Sequence, residues 1–197
     1  MTEKPDSLED LLARIRACRI CADRLEPRPV VRGAASAKVR IVGQAPGTRV
    51  HASGMPFTDP SGDRLRDWLG IDAETFYDER RIAITPMGFC FPGLDAKGGD
   101  KPPDRRCAPL WQGELDEQLD GVELTLLVGR HAQQFHLGKR AKSTLTETVR
   151  NWGEYTPDFI PLPHPSWRNN TWLKKHPWFE TEVLSMLRRR MKKLLQS

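Results

Sequence analysis

Glu123-Leu-Thr-Leu-Leu-Val128, closed by Gly129, is the stretch that decides the fold. It is short, almost continuously apolar or β-branched, and ends on a glycine, which is the pattern of a strand buried on both faces. Three further stretches share that pattern: Val39-Arg-Ile-Val42, Arg81-Ile-Ala-Ile-Thr85 and Asp158-Phe-Ile-Pro-Leu162. Helical spacing fills the intervals. Leu65, Trp68 and Leu69 predict a helix that Ser61 or Asp63 would cap, and further helices are expected over 104–119 and 131–137. A C-terminal helix carries Val183, Leu184, Leu187, Met191, Leu194 and Leu195 on one face. Ser7-Leu-Glu-Asp10 reads as a capping box that opens a first helix with Leu8, Leu11, Leu12 and Ile15 inside. Strands alternating with helices predict an α/β fold: a three-layer α/β/α sandwich with a central four-stranded parallel sheet, in one domain over residues 1–197. The remainder reads as loop, notably from Gly43 through Phe57 and the Gly/Pro-rich segment 91–103.

Of the 197 residues, 38% are hydrophobic and 29% charged, the balance of an ordinary globular chain. No apolar run approaches the roughly 18 residues that a membrane helix needs. The opening MTEKPDSLED lacks the apolar region of a secretory signal. A cytoplasmic monomer with no membrane association is therefore expected. The formal charge of +5 favours a polyanionic partner, with Lys174, Lys175 and the run Arg188 to Lys193 among the basic residues.

In parallel sheets ligands bind beyond the carboxyl ends of the strands. The turns after Val42, Thr85 and Leu162 leave that edge, and they carry the unusual residues. Gly43-Gln44-Ala45-Pro46-Gly47 offers backbone N–H groups with two glycines that allow close approach. Pro86 follows the second strand. Pro163-His164-Pro165-Ser166 holds an imidazole between two stiff residues, where it can donate to charge developing on a leaving group. Phe57 is placed to stack on a flat ligand. His131 and His136, on the helix after the third strand, read as structural. Cys18 and Cys21 form a C-x2-C pair, and Cys90 and Cys107 supply two more thiols. Four thiolates suit zinc or an iron–sulfur cluster better than disulfides in a reducing compartment.

From Cys18 to about Trp172 the chain resembles the uracil-DNA glycosylases, in particular the family 4 enzymes with a 4Fe–4S cluster. The cysteines match that family in order and approximate spacing, so the resemblance implies a 4Fe–4S cluster on Cys18, Cys21, Cys90 and Cys107, with zinc as the alternative. Gly43 to Gly47 is similar to the family's GEAPG segment, and Gly54-Met-Pro-Phe57 to its GRPF segment. His164-Pro165-Ser166 is similar to the superfamily's HPS signature, and its continuation Trp167-Arg168-Asn169 to the HPSPRN run of the single-strand-selective monofunctional enzymes. The resemblance implies that Phe57 walls the pocket of a flipped base, that His164 donates to the O2 of a departing uracil anion, and that Arg168 acts as a wedge in the duplex or pairs with phosphate. It places Gly43, Gln44, Ala45, Pro46, Gly47, Phe57, Pro86, Ser166, Arg168 and Asn169 against base or DNA, which is bound single- or double-stranded.

Two departures bear on chemistry. Ala45 stands where the family 1 enzymes have the Asp that orients water, and the acidic residues of family 4 are missing from 44–51. His51, Asp59 and Asp63 are candidate replacements, Asp59 foremost because Phe57-Thr-Asp59 is similar to an FTGD run of family 5. Pro86 stands where family 4 has an Asn whose amide reads uracil, so a relaxed base range is expected. The expected activity is that of a monofunctional glycosylase excising uracil or related deaminated bases. The alternatives are a non-catalytic binder of damaged or abasic DNA, and a four-cysteine zinc domain with an α/β body that binds a nucleotide or RNA.

Overall fold

A computed structural model describes residues 7–196. Four strands form one sheet in the order β2-β1-β3-β4, and every neighbouring pair is parallel. They are β1 (Val39–Val42), β2 (Ile82–Ile84), β3 (Leu124–Val128) and β4 (Phe159–Leu162). Ile41 faces Ile84 on one side and Leu126 on the other, and Leu127 faces Pro161. The four expected strands are thus present, in the expected parallel arrangement.

Alternation along each strand sends side chains to two cores. Val39, Ile41, Ile84, Leu126 and Ile160 pack beneath α3 (Pro60–Leu69), α4 (Ala73–Tyr77), α7 (Leu145–Arg150) and α9 (Ser185–Leu195). A π-helical turn over Phe179–Leu184 leads directly into α9. The opposite face takes α1 (Leu8–Ala17), α5 (Cys107–Gln118) and α6 (Arg130–Leu137), whose apolar residues meet Ala83, Val42 and Leu127. Covering both faces explains why Leu124 to Val128 carries no polar face. The edge of β2 is closed by a backbone bridge between Arg32 and Ile84.

The capping box at Ser7 is formed, with Asp10 as its reciprocal acceptor. The cap of α3 differs from expectation. It is Asp59, whose Oδ1 accepts from the Gly62 amide at 3.2 Å, and not Ser61 or Asp63. Pro60 at the first helical position makes this the better start, since proline gives up no needed N–H there. The expected loop from Gly43 through Phe57 contains the short helix α2 (Thr48–Ser53), and α8 (Asn170–Lys175) follows the last strand. Helix α5 begins at Cys107 rather than at 104, because Asp104 takes the Arg106 amide at 2.9 Å in a turn that precedes it. Among the described residues no helix is long and apolar enough to cross a membrane.

Candidate active site

A cleft of about 530 Å³ opens beyond the carboxyl ends of the strands. The three expected turns meet there. Its lining includes residues 43–50, Phe57, Asp59, Pro86, His164, Ser166 and Arg168. The turns after β1 and β2 are held together by their backbones: Met87 N–H donates to Gly43 O and Gly88 N–H to Gln44 O, both at 2.9 Å. Ala45 therefore sits on a fixed floor.

That floor rests on a buried polar relay. The Gln112 amide on α5 donates to the Pro86 carbonyl at 2.9 Å. Its oxygen accepts from Arg40 Nη2 at 2.6 Å, and Arg40 Nε reaches Thr85 Oγ1 at 2.8 Å. Arg40 also pairs with Asp116. A guanidinium in the central strand would cost several kcal/mol if left unpaired; here its donors meet three acceptors. The Pro86 carbonyl is thus engaged beneath the cleft.

One wall is Phe57. Its φ of +56 is the left-handed region, unusual for a bulky residue. Tyr77 Oη donates to the Phe57 carbonyl at 3.0 Å and Arg66 Nη1 at 3.3 Å. Gly62 completes the hold: a Cβ there would lie 1.8 Å from the same oxygen. The ring stands edge-on to Phe76 at 5.9 Å and 3.4 Å from where a Cβ on Gly43 would be.

The opposite wall is the turn after β4. The Asn169 amide donates to the His164 carbonyl at 2.7 Å. Arg64 Nη1 donates to Ser166 O at 3.0 Å, and Gln133 to Leu162 O at 2.9 Å. Ser166 Oγ accepts from the Arg168 amide at 3.3 Å. Burial holds the His164 imidazole below its ordinary pKa, against the opposing pull of the Asp59 and Asp100 carboxylates. The ring is therefore uncharged near neutral pH.

The sequence candidates are not all brought together. His51 points away from the cleft: Nε2 lies 3.3 Å from Glu26 Oε2 and the ring packs on Phe91 at 5.7 Å. Helix α2 turns it toward Phe91, and it is not among the residues that line the cleft. Asn169 supports the turn from behind rather than lining the cleft. Asp63 pairs with Arg66 at 2.6 Å. Asp59 does reach the cleft, although its carboxylate also caps α3 and accepts from Ser61 Oγ at 3.3 Å. Asp100 is a residue that the sequence did not single out. It lines the cleft, and its Oδ2 lies 3.4 Å from where a Cβ on Gly47 would be. His136 lies away from the cleft, between Phe135 and Phe159, where burial pushes its pKa down to about 4.

The four cysteines gather at one place on the α5 side. Cys18, Cys21, Cys90 and Cys107 line a single small apolar cavity with Ile15, Leu25 and Trp111. All are free thiols. Burial pushes Cys90 up to about 11 and Cys107 up to about 12, and the neighbouring Cys18 and Cys21 raise both further. Among the described residues no group of three or more His, Cys, Asp or Glu is set for a single metal ion.

The sequence model of the Uracil DNA glycosylase superfamily matches residues 30–188, well over half of the chain. Among solved structures, a protein of Methanosarcina acetivorans assigned as a uracil DNA glycosylase is 17% identical, with 84% of this chain and 94% of that one covered at a TM-score of 0.47. The wild-type SMUG2 of Pedobacter heparinus is 15% identical, with 81% and 74% covered at a TM-score of 0.37. Both likenesses are distant.

Proposed function

The chain belongs to the uracil DNA glycosylase superfamily, and from that premise we propose that it hydrolyses the N-glycosidic bond of uracil or a related deaminated base in DNA as a monofunctional enzyme. The observation that supports this best is the meeting of the Gly43–Gly47 turn, Phe57 and His164 around one cleft at the strand ends. A base turned out of the stack has Phe57 to lie against and backbone groups of the first turn at its edge. As the C1′–N bond breaks, its electron pair passes into the base and onto O2. His164, held neutral, donates a hydrogen bond to that oxygen. Water adds to C1′ and loses its proton to a carboxylate or to solvent. Asp59 and Asp100 are the two carboxylates at the cleft. Incubation with uracil-containing single- and double-stranded oligonucleotides, then alkaline cleavage of abasic sites, tests the reading. The absence of strand cleavage with any deaminated base would reject it. The use of Asp59 as a helix cap favours a second reading, a binder of damaged or abasic DNA; tight abasic-site binding without excision would select it.

The base range is proposed to be broad. Pro86 offers no side-chain amide, and its carbonyl already accepts from Gln112. Nothing at that position would reject a base with a different edge.

The four thiols are proposed to hold a 4Fe–4S cluster, with zinc as the alternative. Support comes from their sharing one apolar cavity. A single zinc would draw four sulfurs to about 2.3 Å from one point, whereas a cluster spreads them around a larger body. When bound, the group would serve as a structural tie. The chain's own part is to bring the end of α1, the segment after β2 and the start of α5 to one point.

A further inference from the structure

The cleft has a rim that the glycosidic chemistry does not use. Trp167 is 70% exposed, although it lines the cleft between Ser166 and Arg168. Leu94, on the segment after β2, is 48% exposed and lines it too. Isolated exposed apolar residues need no explanation, but two of them bordering one cleft do.

Leu94 sits on a hairpin. A backbone bridge joins Leu94 to Asp100, Lys101 N–H donates to Gly93 O at 2.9 Å, and Asp95 N–H donates to Gly99 O at 2.7 Å. Asp95 Oδ1 fixes the tip by accepting from the Lys97 and Gly99 amides, both at 2.8 Å. The hairpin reaches both walls of the cleft. Asp100 approaches Gly47, and Arg168 Nη1 lies 3.4 Å from where a Cβ on Gly99 would be. Arg168 in turn stands 5.8 Å from the Trp167 ring. The rim therefore has an indole, an aliphatic side chain and the cations of Arg49 and Arg168, with Lys97 and Lys101 on the adjoining hairpin segment.

We propose that Trp167 and Leu94 form a seat for the unpaired bases on either side of the flipped nucleotide, making single-stranded DNA the preferred partner of this cleft. The proposal rests on the glycosylase reading above. Every base offers a face to an indole, whereas bases within a duplex are already stacked on their neighbours; the surrounding cations suit the backbone. Nothing in the fold needs the Trp167 side chain, so its removal reports on the partner and not on stability.

The test is fluorescence anisotropy with a labelled oligonucleotide carrying a tetrahydrofuran abasic-site analogue, single-stranded or annealed to its complement. Trp167→Ala is expected to weaken single-strand binding on the order of tenfold, the scale of one stacking contact, and duplex binding much less. Trp167→Phe should recover most of the loss, and Leu94→Ala should weaken single-strand binding severalfold. Leu110→Ala, at an exposed apolar position on α5 away from the cleft, should change neither. In steady-state excision, the same Trp167→Ala change should raise KM more than it lowers kcat. A wild-type protein that excises uracil while Trp167→Ala binds single strands unchanged, or loses duplex binding equally, overturns the seat alone. A wild-type protein that neither binds nor excises overturns the seat and the glycosylase reading together.

Discussion

Asn169 donates its side-chain amide to the carbonyl oxygen of His164 at 2.7 Å, five residues upstream. That bond ties the turn after β4 to the start of the next helical segment and fixes the backbone that aims the imidazole. Asn169→Asp keeps the size and removes the donor. It should lower kcat about tenfold, in line with a lost hydrogen bond on a part-buried carbonyl, while leaving KM nearly unchanged. Equal changes in both constants would show that Asn169 contacts the substrate.

His164 itself is predicted to act as a neutral donor. His164→Ala should lower the single-turnover excision rate on the order of a hundredfold, with DNA affinity changed much less. Because burial lowers its pKa, the wild-type rate should show no step at the ordinary histidine value of 6.5. A rise through that pH as solutions are made more acid, absent from His164→Ala, would mean that the protonated ring does the work.

Asp59 and Asp100 can be separated by substitution. Asparagine caps helices as well as aspartate does, so Asp59→Asn should retain α3 and its thermal stability. Slower excision in Asp59→Asn with unchanged melting would assign water orientation to that carboxylate. If Asp100→Asn is the slower of the two, the hairpin residue holds the role. Carried out across uracil, xanthine, hypoxanthine and 5-substituted uracils, the wild-type measurement should show excision of more than one base.

The thiol cavity makes a compositional prediction. Protein purified without oxygen should contain iron and sulfide and absorb near roughly 400 nm. Cys18→Ala should lose the metal and lower the melting temperature, since α1 then loses its tie to the start of α5. Zinc as the sole metal would select the alternative. Loading should release protons, because Cys90 and Cys107 as free thiols are held well above neutral pH.

His136 gives a pH dependence of stability. Its pKa falls from 6.5 to about 4 in the folded chain, so the unfolded chain binds the extra proton first as the solution is acidified. Stability should therefore fall as pH drops from about 6.5 toward 4, and be restored as it rises. His136→Leu should flatten that part of the curve. Melting temperatures from pH 4 to 8 check it.

The parallel sheet was readable because burial on both faces leaves strands such as Leu124 to Val128 without a polar side. The turns after β1 and β4 were readable as well, since glycine, proline and histidine at strand ends mark a place where backbone approaches a ligand. What escaped depends on contacts distant in sequence. Helix α2 buries only Val50 and has no side-chain cap, so nothing local announces it. His51 looked available from its closeness to Gly47, yet one turn of that helix carries it to Phe91. Asp100 owes its place to pairing with Leu94 and to the approach of Gly47, neither of which leaves a periodic trace. The cap of α3 lies two or four residues before the positions that the sequence suggests, because serine and aspartate recur through 59–63; Pro60 is the signal that distinguishes them.

The cleft draws on residues from Val30 to Arg168, and its two principal walls come from the first and the last of the strand-end turns to be made. The stretch from Gly43 to Ser61 supplies one wall and much of the floor, but the imidazole comes from the far end of the chain. Phe57 depends on Tyr77 and Gly62, the floor depends on Gln112, and His164 emerges only after all four strands have been synthesised. Closing such separated contacts is slow compared with forming helices. Excision competence should therefore appear late and in a single step during refolding, after most helical signal has returned. A chain shortened before β4 would lose that edge strand and, with it, His164 and the second wall of the cleft.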